Sequence, residues 1–214
     1  FIRATTAVNH YTFRFARRAV AEGLVVIDDP DSIVKCANKV YLAELLEHHH
    51  VPRPHTCIVH RDNRDTVIAK VGLPCVLKQP DSSFSQGVTK VETYEALQTA
   101  LDTLLEDSDL VIAQQFMPTE FDWRIVVLDR EPLLACRYHM AANHWQIIKR
   151  DTKGRMNGGA VMPVPLAEVP PQVLKIGTRA ARLIGDGLYG VDVKQVGDAA
   201  VVIEVNDNPN LDAG

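Results

Sequence analysis

Ile203-Glu204-Val205-Asn206-Asp207-Asn208-Pro209-Asn210 is an apolar strand that runs out into oxygen-bearing side chains. Residues two apart on a strand face the same side, so Glu204 and Asn206 point together. Upstream, Gly190-Val191-Asp192-Val193 reads as a second strand, and Gly197-Asp198 offers a tight turn between the two. If the strands pair through that turn, Asp192 can lie across from Glu204 and Asn206. Val201, Val202, Ile203 and Val205 flank Glu204, a costly setting for a carboxylate unless something pairs with it. Hard cations take oxygen ligands and accept only a few from protein when phosphate supplies others. Two carboxylates and an amide oxygen therefore suit Mg2+ (or Mn2+). Taken singly, each of the three is equally well read as a solvent-facing position on an amphipathic strand.

Working outward, the second half of the chain is strand-rich. Leu110–Phe116 reads as a strand, and Trp123–Leu128 with Leu133–Met140 as a hairpin across Asp129-Arg130-Glu131-Pro132. Trp145–Lys149 is a further candidate strand, and 151–160 a polar loop containing glycine. Pro170-Pro171 opens a helix to about Ile184, since proline suits a first helical turn. In the first half, a strand remnant precedes a helix from Tyr11 to Glu22. Gly23 stops it, and Leu24–Ile27 reads as a short strand. Asp29-Pro30-Asp31-Ser32 starts a helix running to about His49, with Val40, Leu42, Leu45 and Leu46 as its apolar stripe. Strands follow at Thr56–Val59, Cys75–Lys78 and Val88–Val91, with a short helix at Thr66–Val71 and a polar loop from Gln79 to Gly87. Thr93 caps a helix through Glu106 that turns Ala96, Leu97, Leu101, Leu104 and Leu105 inward. The pattern is α+β, with helices covering one face of the strands.

Composition narrows the function classes. The chain has 214 residues, 46% hydrophobic and 23% charged, enough for one to two domains and a sizeable core. A net charge of -4 does not announce a nucleic-acid partner. No apolar run approaches the roughly 18 residues of a membrane span, and no signal peptide is visible, so no membrane partner is expected. Cys36, Cys57, Cys75 and Cys136 are scattered without metal-type spacing and read as buried free thiols of a cytoplasmic protein. His48-His49-His50 reads as solvated histidines at a helix end. There is no G-x-x-x-x-G-K-[ST], no H-E-x-x-H and no evident Ser-His-Asp order. A start at Phe1 and an abrupt end at Gly214 suggest a fragment of a longer protein.

Four segments in order then carry a resemblance. EVNDNPNL resembles the metal-binding end of ATP-grasp ligases, and LPCVLKQPDSSFSQGV their strand, lysine and phosphate-covering loop. QQFMPTEFDWRIVVL resembles the hinge strand and its continuation, the Asp-Trp-Arg part looking like the RimK branch. DDPDSIVKCANKVYLAELLEHHHVPRP resembles the helix before the smaller lobe. The likeness covers roughly residues 28 to 214. It implies an α+β ATP-grasp fold with ATP held between two lobes: residues 1–29 as the remnant of a truncated N-terminal α/β domain, 30–109 as the smaller lobe with its preceding helix, and 110–214 as the larger lobe with the metal site.

The resemblance also implies roles. Lys39 and Lys78 match nucleotide-contacting lysines, and an ammonium is a compact charge for phosphate oxygens. Gln115, Phe116 and Met117 match the hinge at the adenine edge, and Asp122 the acidic residue that holds the ribose. Ser83, Ser85 and Gly87 belong to the phosphate-covering loop, which in the family is usually richer in glycine than Asp81–Gly87. Arg124 and Arg137 project near the expected phosphates, Arg137 matching an arginine on the transferring phosphoryl group. Asp192, Glu204 and Asn206 match the metal ligands. The implied activity is a cytoplasmic carboxylate–amine ligase using ATP and Mg2+, forming an amide through an acyl phosphate. By likeness to RimK-type enzymes, its partners are an amino acid such as glutamate and a peptide or protein acceptor; a homo-oligomer is left open. His139, Asn143, His144, Lys149, Arg155 and Asn157 are candidates for the acceptor pocket. A kinase on the same nucleotide site, or a non-catalytic ATP-binding regulatory module, remains the alternative.

Overall fold

The structure, a computed structural model, describes residues 1–81, 87–150 and 155–211. Its helices are α1 (Tyr11–Ala21), α2 (Pro30–Ala37), α3 (Lys39–His48), the short α4 (Val67–Lys70), α5 (Tyr94–Asp107) and α6 (Pro171–Ile184). Its strands are β1 (Thr56–Val59), β2 (Cys75–Lys78), β3 (Val88–Val91), β4 (Val111–Gln115), β5 (Phe121–Leu128), β6 (Glu131–His139), β7 (Ile148–Arg150), β8 (Met156–Gly158), β9 (Val161–Val164), β10 (Leu188–Val196) and β11 (Ala199–Asn206). They form a four-stranded sheet in the order β1-β4-β2-β3, a five-stranded sheet in the order β11-β10-β5-β6-β9, and the separate pair β7-β8. Every pairing is antiparallel.

Alternation along the strands explains the layers. In β2, Cys75 and Leu77 are buried with Leu97, Leu101 and Leu105 of α5, which puts Val76 and Lys78 on the other face. Thr93 caps α5 through its hydroxyl, as the sequence predicts, but Ala96 is exposed rather than inward. In the larger sheet, Trp123, Ile125 and Val127 of β5, Val191 and Val193 of β10, and Val205 of β11 share a core with Val173, Ala180 and Ile184 of α6. Gly177 lets α6 approach closely, because a Cβ there would sit 3.1 Å from the Ile125 side chain. Asp122, Arg124 and Asp192 take the alternate positions and face away from that core.

Several elements depart from the sequence reading. The single helix expected up to His49 is broken at Asn38, whose backbone is extended. Asn38 Oδ1 accepts from the N–H groups of Val40 and Tyr41, both at 3.0 Å. A cap is a better use of that side chain than a helix interior, where it competes with the backbone. The break makes Lys39 the first residue of α3, with its N–H donating to the Pro80 carbonyl at 2.9 Å. Moreover, α2 and α3 bury Cys36, Leu42 and Leu46 in the core of the larger sheet. β9 was not legible as a strand; Pro163 stands within it, which an edge position tolerates. Leu24–Ile27 forms no strand either. Leu24 and Val25 are exposed; the Leu24 N–H turns back to the Ala19 carbonyl, and the Ile2 N–H reaches the Ile27 carbonyl.

Past that stretch, Asp28 is 1% exposed, and neither carboxylate oxygen finds a hydrogen-bond partner among the described residues. Burial, reinforced by the nearby Asp207, pushes its carboxyl up to about 7. The raised value means that the fold favours the protonated acid. Its contribution to stability is complete below the unfolded value near 3.8 and is lost as pH rises through about 7. Asp28→Asn should therefore flatten the decline in urea midpoint between pH 5 and pH 8, and should be the more stable protein at pH 8. An unchanged slope would show that Asp28 does not hold that proton.

Candidate active site

The two sheets face each other across a cleft of about 140 Å³. Lys39, Lys78, Gln115, Phe116, Met117, Asp122, Asp192 and Glu204, all singled out in the sequence, line it together. They come from α3, from β2, β4 and the two residues after β4 on one side, and from β5, β10 and β11 on the other.

The far wall is set by strand register. Asp192 pairs directly with Arg124 on one side and with Glu204 on the other. Arg124 grips Asp192 through both carboxylate oxygens, Nε to Oδ1 at 2.6 Å and Nη2 to Oδ2 at 3.0 Å, with both residues buried. Planar bidentate pairing of this kind is the strongest form of an arginine–carboxylate contact. Gly190 makes room for it: a Cβ there would meet Pro209 at 2.7 Å and Arg124 Nη1 at 2.9 Å. Burial pushes the Asp192 carboxyl up to about 6 against the pull of Arg124, with Glu204 and Asp122 adding to the rise. Glu204 behaves differently. Burial alone would raise it, but Lys39, Lys78 and Arg124 outweigh burial and hold it below the ordinary value. Lys39 Nζ lies 3.1 Å from Glu204 Oε1. Asn206 pairs with Gly190, and its Nδ2 donates to Asp192 Oδ2 at 3.2 Å. No described residue donates to its Oδ1.

This oxygen set fits a divalent cation. Two carboxylates stand directly opposite each other on neighbouring strands, and an amide oxygen is free beside them. Among the described residues no group of three or more His, Cys, Asp or Glu side chains assembles, so a third protein oxygen at this site has to come from the Asn206 amide.

The opposite wall belongs to the smaller sheet. Lys78 Nζ donates to Gln114 Oε1 at 2.7 Å, and burial lowers its ammonium below the ordinary lysine value, opposed by Glu204. At the end of β4, the Gln115 N–H goes to the His55 carbonyl and the Phe116 N–H to the Pro74 carbonyl. The Phe116 ring stands edge-on to Trp145 at 5.8 Å, with Lys90 Nζ 4.2 Å above it. Gly87 adopts φ +61° where the loop returns to β3, its carbonyl accepting from the Gln79 N–H. Ser83 and Ser85 lie outside the described residues.

Arg124, Asn206 and Gly87 do not themselves line the cleft, and Arg137 is turned away from it. Arg137 pairs with Trp123, on the α6 side of the sheet, and its guanidinium lies 4.7 Å from the Trp123 ring and 4.9 Å from that of Phe121. An odd–even slip decides this: neighbours on a strand face opposite ways, so the cleft side at this level belongs to Tyr138, over which Arg124 stacks at 5.0 Å. His139 likewise packs against Phe121. Among the acceptor candidates, Lys149 and Asn157 meet as partners on the β7-β8 pair.

Other cleft residues were missed. Ile203 and Glu204 both line it although they are consecutive, because a register shift beside Asp192 inserts one extra residue in β11. Gln114, Trp145, Gln146, Ile147 and Lys194 also contribute. No local motif announces a bulge or a loop folding back, but Lys194, two residues after Asp192, could have been placed by alternation.

The amino-acid sequence matches the RimK-like ATP-grasp domain over residues 36–214. The chain belongs to that family. Ribosomal protein bS6–L-glutamate ligase of Escherichia coli is 25% identical to it, over 98% of this chain and 68% of the relative. The α-aminoadipate–LysW ligase LysX of Saccharolobus solfataricus is 24% identical, over 87% of this chain and 67% of that one. In fold it resembles the crystal structure of a RimK domain ATP-grasp protein from Sphaerobacter thermophilus, with a TM-score of 0.73 and 20% identity over 98% of this chain and 72% of the other. It is accordingly an ATP-grasp ligase, an ATP-using enzyme of the class that forms carbon–nitrogen bonds.

Arg124→Ala in this RimK-like domain should lower unfolding free energy by about 3–5 kcal/mol, because it strands Asp192 as an uncompensated buried charge. Adding Asp192→Asn should recover part of the loss. Urea denaturation of the two single variants and the double variant measures the coupling, and strictly additive effects would show that the pair does not act as a unit.

Proposed function

We propose that this ligase activates a substrate carboxylate with ATP and joins it to an amine, the carboxylate or amine partner being an amino acid such as glutamate and the acceptor a peptide or protein. The observation that carries the reading is the convergence, in one cleft, of Lys39 and Lys78 with the directly paired carboxylates Asp192 and Glu204. An arrangement with cationic and oxygen-donor groups facing one another suits a polyphosphate and its counter-ion, and no covalent protein nucleophile is required. Relatives named for joining L-glutamate to ribosomal protein bS6 and α-aminoadipate to LysW support an amino acid and a protein as the two substrates.

In the proposed reaction, a carboxylate oxygen attacks the γ-phosphorus of ATP and the bond to the ADP oxygen breaks. ADP leaves, and an acyl phosphate forms. The amine nitrogen then attacks the acyl carbon and loses a proton, while the carbon–oxygen bond to phosphate breaks. The protein's part is positioning and charge neutralisation. Lys39 and Lys78 hold phosphate oxygens. Met117 presents a backbone N–H that has no backbone partner among the described residues, and Phe116 an apolar surface, to the adenine. Asp122 accepts from the ribose. Arg124 acts by fixing Asp192, and Arg137 is given no part in phosphate contact. Asp192, Glu204 and Asn206 would hold Mg2+, which would supply charge neutralisation to the phosphates. Residues 30–109 and 110–214 would form the two lobes.

ADP release should be measured with a panel of amino acids, glutamate first, with hydroxylamine present to trap an acyl phosphate as the hydroxamate. The expected outcome is hydroxamate formation that depends on Mg2+, and a fall of about two orders of magnitude in Asp192→Ala, the size typical of losing a charge-stabilising group. ADP release without hydroxamate would point to a hydroxyl acceptor and a kinase. Tight ATP binding without turnover would point to a regulatory module.

A further inference from the structure

Lys194 lines the same cleft but has no part in the roles assigned above. Its Nζ donates to Asp122 Oδ1 at 2.5 Å and to Thr119 Oγ1 at 2.6 Å. The Thr119 hydroxyl in turn donates to Asp122 Oδ1 at 3.0 Å. The three groups close a triangle in which the hydroxyl accepts one hydrogen and gives its own. The side chains of Lys194 and Asp122 are only 13% and 14% exposed, so neither is a solvated surface charge. Both donors converge on one oxygen, and no described residue donates to Asp122 Oδ2.

We propose that Lys194 is a positioning residue for nucleotide recognition. Together with Thr119 it saturates Oδ1, fixes the plane of the Asp122 carboxylate, and leaves Oδ2 as the acceptor for the vicinal hydroxyls of a ribose. The inference rests on Asp122 being the ribose acceptor. An unclamped carboxylate turns freely about its last torsion and must be ordered when ligand binds; one held by two donors has already lost that freedom. The ammonium has a second effect. Asp122 is close enough to Asp192 to add to the rise of its carboxyl, so an unpaired Asp122 would add negative charge beside the place proposed for a triphosphate. Lys194 cancels that charge without occupying the phosphate subsite. It can do so because it stands two residues beyond Asp192 on β10, placing the sugar clamp and a proposed metal ligand on one strand.

Dissociation constants for ATP and for 2′,3′-dideoxy-ATP, each with Mg2+, test this by calorimetric titration of the wild-type protein, Asp122→Asn, Lys194→Met and Lys194→Arg. Thermal unfolding of each variant checks that it is folded. The wild-type protein should prefer ATP by about tenfold or more, as for hydrogen bonds to a charged acceptor. Lys194→Met should cut that preference to about threefold or less while changing dideoxy-ATP affinity by less than about twofold, and Lys194→Arg should restore most of it. Should Lys194→Met not fold, Thr119→Val removes the third corner of the triangle and should also shrink the preference. Equal weakening of both nucleotides in Lys194→Met would assign the lysine a general electrostatic or structural part and overturn the proposal, as would an undiminished preference. A wild-type protein with no preference for ATP would instead overturn the ribose reading of Asp122, on which the proposal stands.

Discussion

Two carboxylates directly opposite each other on neighbouring strands repel, and the cleft is organised around the cations that offset this. Asp192 and Glu204 are held in that position by the β10-β11 register. Asp192 is answered by Arg124 from within the same sheet, and Glu204 by Lys39 from α3. The two cations differ in kind. A planar guanidinium gripping both oxygens is a fixed structural partner, whereas a single ammonium at a partly exposed carboxylate is a contact that a ligand can exchange. Asp192 is thus oriented by the sheet, and Glu204 remains open to the cleft.

That division follows from the layering. The α6-facing sides of β5, β10 and β11 are apolar and close-packed, with Trp123, Ile125, Val191 and Val193 fully buried. Every alternate side chain then has to face the smaller sheet, and there the chain carries Asp122, Arg124 and Asp192 in place of apolar residues. A second core could have formed between the sheets had these positions been apolar. Polar groups need partners or water when brought together, so the same strands that hold one core leave a cleft on their other side.

Much of this was legible in the chain. The turn at Gly197-Asp198 and the antiparallel pairing of the two strands were readable, but that turn's own register would set Asp192 opposite Ile203, and the extra residue in β11 is what brings Glu204 there. The capped helix after Thr93 and the strand Cys75–Lys78 were equally readable from periodicity. What escaped depends on non-local or single-residue effects. The helix break at Asn38 turns on one side chain preferring a cap. The extra residue in β11 shifts Ile203 into the cleft, and nothing in an alternating apolar run says where a ladder will bulge. Arg137 shows the reverse hazard: a residue type suited to phosphate, one position out of phase, falls on the packed face.

The N-terminal stretch adds a constraint that the strand pattern alone does not contain. Arg3 Nη1 donates to Asn208 Oδ1 at 2.6 Å and to the Pro209 carbonyl at 3.0 Å, while Asn208 Nδ2 donates to the Ala4 carbonyl at 2.6 Å. These bonds hold the loop that leaves β11 immediately after Asn206. Pro209 in turn lies against the space above Gly190, where Arg124 also passes. The end of β11 is therefore fixed on three sides: by its ladder to β10, by the packing of Pro209 over Gly190, and by hydrogen bonds from the opposite end of the chain. A ligand set carried on a strand end is imprecise when that end frays. Tying Asn208 and Pro209 down gives Glu204 and Asn206 the rigidity that a site built at the edge of a sheet would otherwise lack.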